Sequence, residues 1–141
     1  MAISTRKPKI ALPTETVLVV ESDVLLRIVI CEYLRHCGYR VIEAVNSDEA
    51  LTLLQEPTVV TDIVLTAIKL PGSLDGFALG QWIRQNRPGI DLVLAGNAVR
   101  AADAAANLCE TGPTLSRPYD PQLVVDRIRR LRAMRSRRKS V

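Results

Sequence analysis

Few side chains in this 141-residue sequence are of types that carry out chemistry, and their spacing narrows the options further. His36 is the single histidine. It falls near a predicted helix end with no nucleophile partner in the pattern, which argues against a Ser-His-Asp or Cys-His site. The three cysteines, Cys31, Cys37 and Cys109, form neither a CxxC pair nor a metal-ligand spacing. They read as free thiols, small and buried, in a reducing compartment. What remains is a short acidic cluster, Glu21-Ser22-Asp23, and a distant cation, Arg117. Carboxylates can hold a hard cation such as Mg²⁺. A guanidinium can bind an oxyanion or pair with an acid. Ser22 and Thr66 add hydroxyls.

The elements that must position these residues alternate along the chain. Residues 17–20 (VLVV) form a continuous apolar run of strand length, the type buried on both faces of a parallel sheet. Residues 23–37 predict a helix, because Leu26, Ile30, Tyr33, Leu34 and Cys37 recur near a 3.6-residue period. Gly38 is its stop. A second strand is predicted at 40–44. Asn46 and Glu49 then make the N-x-x-E opening of a capped helix, whose apolar face is Ala50, Leu51 and Leu54. A third strand is predicted at 62–66 (DIVLT) and a third helix at 77–85, after the Pro71-Gly72 and Asp75-Gly76 turns. A fourth strand at 92–95 and an alanine-rich helix at 98–109 follow. A short fifth strand falls at 114–116 and a last helix opens at Asp120-Pro121.

Strand then helix, five times over, implies an α/β fold with a parallel sheet covered on both faces. Right-handed crossovers restrict it to a doubly wound topology. In such sheets ligands sit beyond the carboxyl ends of the strands. The positions that matter are therefore Glu21-Ser22-Asp23, Ala67-Ile68, Ala95-Gly96 and Arg117-Pro118.

Four segments at those strand ends carry a resemblance. VLVVESDVLLR is similar to the opening of a response-regulator receiver domain, where two acids follow the first strand. DIVLTAIKLPGSLDG resembles the segment around the phosphate-accepting aspartate of that family. VLAG resembles its fourth-strand end, and SRPYDP its Lys-Pro turn before the last helix. Together they span nearly all of residues 16–133. The resemblance implies a five-stranded, flavodoxin-like receiver fold with strand order 2-1-3-4-5.

It also implies a site, and this sequence departs from it. The phosphate acceptor falls on Ala67, the two metal-binding acids on Glu21 and Ser22, the hydroxyl switch residue on Ala95, and the phosphate-binding lysine on Arg117. Phosphoryl transfer to a receiver needs a carboxylate nucleophile, and a methyl group has no lone pair. With the acids at 67 and 22 gone, Glu21 is the main anionic ligand left; Asp23 is expected to cap the first helix. No metal and no cofactor are expected, the Mg²⁺ site being lost. Phosphorylation on Thr66 or Ser22 is an alternative, as is pairing of Glu21 with Arg117 across the pocket.

Composition sets the remaining bounds. Apolar residues make up 48% and charged residues 24%, an ordinary globular balance, and aromatics at 4% leave an aliphatic core. No apolar run nears the roughly 20 residues that span a bilayer. Residues 1–15 read as a flexible lead with no signal peptide, and a cytoplasmic location is expected. The net charge of +4 is concentrated in RIRRLRAMRSRRK near the end of the sequence, with 134–141 as a basic tail. That run is either a solvated helix end or a contact for nucleic acid or an acidic protein. Leu25, Ile28 and Cys31 lie off the core-facing stripe of the first helix, which is therefore either broadly buried or exposed as a docking patch. The resulting expectation is a non-enzymatic two-component signalling module. It would work through a protein partner such as a histidine kinase, a phosphotransfer protein or another regulator, or through a homodimer. Its alternatives are a phosphorelay receiver with an unorthodox acceptor and a nucleic-acid-associated regulator using its basic tail.

Overall fold

The structure, a computed structural model, describes residues 15–110 and positions 126–127, 129–130 and 133–134. The expected fifth strand at 114–116, Arg117, the Asp120-Pro121 cap, the lead before Glu15 and the tail beyond Met134 lie outside the described residues.

Four strands, β1 (Thr16–Val20), β2 (Arg40–Ala44), β3 (Ile63–Ala67) and β4 (Asp91–Ala95), form a sheet in the order β2-β1-β3-β4, and every pair is parallel. This is the described part of the expected 2-1-3-4-5 order. Four helices connect or follow them: α1 (Val24–His36), α2 (Ser47–Gln55), α3 (Gly76–Asn86) and α4 (Ala98–Glu110). β1 is central and buried along its whole length, as its uninterrupted apolar run requires.

The local chemistry that starts and stops each helix is present. Asp23 caps α1 by accepting from the Leu26 amide at 3.2 Å. Asn46 accepts from the Glu49 amide at 2.8 Å, and Glu49 reaches back to the amide of Val45 at 3.2 Å rather than to the cap residue itself. Asp75 caps α3 through the Ala78 amide at 2.8 Å. Gly38 ends α1 with φ at +96°, a left-handed conformation that a side chain would strain.

β3 begins and ends one residue later than the pattern suggests. Asp62 opens the strand from outside it, its carboxylate accepting from the Thr16 amide at 2.8 Å. Ala67 consequently belongs to the ladder and sits opposite Ala95.

Alternation along the strands divides the core in two. Val17, Val19, Ile63, Leu65 and Ala95 face α1 and α4. Leu18, Val20 and Val64 face α2 and α3, against Ala50, Leu54, Leu79 and Ile83. Each fully buried aliphatic side chain contributes about 1.5–3 kcal/mol. α4 therefore shares a face with α1. Its contact stripe is Ala101, Ala102, Ala105 and Cys109, small residues that let two helices approach closely.

That packing corrects the expectation of three free thiols. Cys37, at the C-cap of α1, and Cys109, in the last turn of α4, are joined as a disulfide, with Cα atoms 5.4 Å apart. Only Cys31 is free. The pair is separated by 72 residues and brought together by helix packing, so no local spacing could have announced it. Burial pushes the Cys31 thiol up to about 12, with the Glu43 carboxylate adding to the shift, which fits an inert core thiol.

Candidate functional site

The carboxyl ends of β1, β3 and β4 bring together Glu21, Ala67 and Ala95. Glu21 follows β1 directly, and its amide donates to the Ala44 carbonyl at 3.0 Å, which extends the β1–β2 ladder by one residue. Its carboxylate accepts from the Asp23 amide at 2.9 Å. Burial pushes the Glu21 carboxyl above its ordinary value; the amides of Asp23 and Ser22 and the charge of Arg27 pull back, while the Asp23 carboxylate adds to the rise. Ser22 is exposed.

Asp23 spends its Oδ1 on the helix cap, as expected from its position. Ala67 ends β3 and is half-buried; Ala95 is 3% exposed. Beneath the rim that these residues form, side chains including Leu26, Ile30 and Leu65 leave a cavity of only about 10 Å³. Such a space is at the lower limit for a single water.

Thr66 also lines this cavity. It is fully buried, shares the strand face of Val64, and donates to the Ala67 carbonyl at 3.0 Å. Thr66, one of the two hydroxyls offered as an alternative acceptor, thus has a buried side chain. Arg117 lies outside the described residues, so the Glu21–Arg117 pair does too. Among the described residues, the cation that reaches the site is Arg27. Its Nη1 donates to the Glu21 carbonyl at 2.8 Å and its Nε pairs with Glu43 at 3.1 Å. Arg27 was missed in the sequence because its carboxylate partner Glu43 lies on another element, β2. One signal was available: an arginine on the first turn of the helix after an acidic cluster.

The loop between β3 and α3 completes the rim. Ile68 donates its amide to the Ala95 carbonyl at 3.1 Å, and the Gly76 amide donates to the Ile68 carbonyl at 2.8 Å. Ser47 and Asp48, at the start of α2, hold the loop tip by accepting from the Leu74 and Ser73 amides at 3.0 and 3.2 Å. These are also anchors that no sequence pattern had marked.

This geometry belongs to a recognisable family. The family model of the response regulator receiver domain matches residues 17–129. The chain belongs to the response regulator receiver domain family.

Several proteins are similar to this chain. It is 44% identical over 59 residues to the two-component response regulator-like PRR37 of Oryza sativa subsp. japonica, a match that takes in 42% of this chain and 8% of that protein. It is 27% identical over 116 residues to the uncharacterized transcriptional regulatory protein YbdJ of Bacillus subtilis (strain 168), covering 82% of this chain and 49% of that one. The chain thus spans half or less of these relatives. Among solved structures, the CheY-like response regulator receiver domain protein of Methanospirillum hungatei JF-1 aligns with a TM-score of 0.57 at 19% identity, over 89% of this chain and 99% of that one. The signal receiver domain of an HD domain-containing protein of Pseudomonas fluorescens Pf-5 aligns with a TM-score of 0.56 at 25% identity, over 88% and 99%.

Proposed function

We propose that this receiver domain is a pseudo-receiver: a non-enzymatic, cytoplasmic signalling module that takes no phosphoryl group and acts by docking on a protein partner in one fixed state. The observation that carries this reading is Ala67, the last residue of β3, which supplies no nucleophile at the strand end where the family resemblance puts the acceptor.

The donor set around it supports the same reading for the metal. Mg²⁺ demands near-octahedral oxygen coordination and is usually held by carboxylates. Among the described residues, Glu21 and Asp23 are the neighbouring carboxylates, and each already has one oxygen engaged, Glu21 by the Asp23 amide and Asp23 by the Leu26 amide. Ala67 and Ala95 bring only methyl groups, and Ser22 a neutral hydroxyl. Among the described residues no group of three or more His, Cys, Asp or Glu side chains is placed to hold a metal ion. These residues do not fit the Mg²⁺ that receivers use.

A partner surface is supported by α1. Val24, Leu25 and Ile28 are exposed there, at 55%, 39% and 46%, whereas Cys31 is fully buried. The helix is therefore an exposed apolar strip over its first two turns, suited to a histidine kinase, a phosphotransfer protein, another regulator or a second copy of the chain.

A second reading rests on the basic C-terminal run. Arg129 and Arg130 are helical and exposed. They could hold a nucleic acid without reading its sequence. Salt-sensitive binding to generic duplex DNA that disappears in the Arg129→Ala/Arg130→Ala chain would favour it; equal binding by that variant would reject it.

The test of the main reading is incubation with acetyl phosphate and Mg²⁺, followed by intact mass. An unchanged mass is expected. A stable gain of one phosphoryl group would overturn it.

A further inference from the structure

α4 is attached to the fold in an unusual way. A right-handed crossover from β4 to a further parallel strand at its open edge would carry the connecting helix over the α2–α3 face. α4 lies over the opposite face, beside α1. The α4 side of that contact is built mostly of small residues: Ala98, Ala101, Ala102 and Ala105 bury only methyl groups, with Leu108 packed beside them. Meanwhile Leu92 and Leu94, on the α2–α3 face of β4, remain half-buried. Apolar surface is thus available on the face that α4 does not cover.

The feature that fixes α4 beside α1 is at its far end. Cys109 is bonded to Cys37, and both are almost fully buried. Cys37 is itself rigidly placed, as the C-cap of α1, with its amide donating to the Tyr33 and Leu34 carbonyls at 3.1 Å. One residue before Cys109, the Leu108 carbonyl accepts from the Tyr39 hydroxyl at 2.6 Å. The last turn of α4 is therefore tied to the end of α1 by one covalent bond and one hydrogen bond.

We propose that Cys37 and Cys109 are a redox modification site, whose disulfide holds α4 on the α1 face and whose reduction releases it. The oxidant is a low-molecular-weight disulfide. One protein thiolate, reached when the last turn of α4 lifts from α1, attacks it, forming a mixed disulfide and expelling one thiolate. The second protein thiolate then attacks the mixed disulfide and expels the other. Two electrons pass from the protein to the small disulfide, one S–S bond breaks and one forms, and the two protons end on the released thiols. The helix that the domain presents beside α1 is then set by thiol chemistry, independently of the phosphoryl chemistry addressed above.

The test uses the full chain, equilibrated with glutathione disulfide or with dithiothreitol, then read in two ways. Alkylation after denaturation, counted by intact mass, should add one group to the oxidised chain, at Cys31, and three to the reduced chain. Hydrogen exchange of α4 should accelerate about tenfold or more on reduction, with β1 and β3 unchanged. The Cys37→Ser chain should exchange at the fast rate in both conditions. Three alkylated cysteines in the oxidised sample would overturn the proposal. So would unchanged exchange in α4, or equal acceleration in β1 and β3, which would make the bond a staple of the whole fold.

Discussion

Gly76 lies directly against the backbone of Ala67: a Cβ at position 76 would stand 2.1 Å from the Ala67 carbonyl oxygen and 2.7 Å from the Ile68 Cα. The start of α3 is thus pressed onto the end of β3, and this contact fixes one wall of the strand-end rim. Gly76→Ala must displace backbone on one side or the other. A loss of about 3 kcal/mol is expected in urea unfolding. Gly89 has nothing within 4 Å of the same position, so Gly89→Ala should stay within about 0.5 kcal/mol.

Glu21 sets a pH dependence. Its carboxyl is held above its ordinary value, chiefly by burial. The fold therefore favours the protonated acid. This contribution is fully present below the unfolded value and is lost as pH rises through the folded one. Glu21→Gln keeps an oxygen for the Asp23 amide and removes the charge. It should raise the thermal midpoint at neutral pH relative to the parent chain, with the gap closing in acid. A variant less stable than the parent at neutral pH would count against burial as the dominant effect.

The missing oxygen ligands can be put back. The double variant Ser22→Asp/Ala67→Asp places two carboxylates beside Glu21. Like charges in one half-buried site should cost the metal-free variant about 1–3 kcal/mol. Mg²⁺ at 100 times its dissociation constant would return about 2.7 kcal/mol. Thermal melts with and without Mg²⁺ should therefore separate for the double variant and coincide for the parent.

The α1 strip predicts a separation of stability from association. Leu25 and Ile28 are exposed, so Leu25→Glu and Ile28→Glu should each change stability by no more than about 0.5 kcal/mol. Any self-association seen by light scattering, or any binding to a partner kinase, should weaken. Full binding by both variants would exclude this face.

Much of this arrangement was legible in the sequence because it is local. The Asp23 and Asn46 caps follow from residue type and position, and β1 from an unbroken apolar run, whereas Asp75, read as a turn residue, caps α3. What was not legible depends on contacts between distant segments. Nothing near Cys37 points to Cys109, nothing near Ser47 points to Leu74, and Arg27 finds Glu43 only once β2 lies beside β1. The bounds of β3 were off by one residue for a different reason: Asp62 stays outside the strand, its carboxylate engaged by the Thr16 amide.

The most direct measurement is made at the strand-end rim itself. Backbone amide signals of Glu21, Ser22, Ala67 and Ala95 would be followed by NMR as Mg²⁺ and then acetyl phosphate are added. With no acceptor and no metal cradle, these four signals should stay where they are. A saturable shift of the Ala67 and Ala95 amides that requires both reagents would contradict the pseudo-receiver reading.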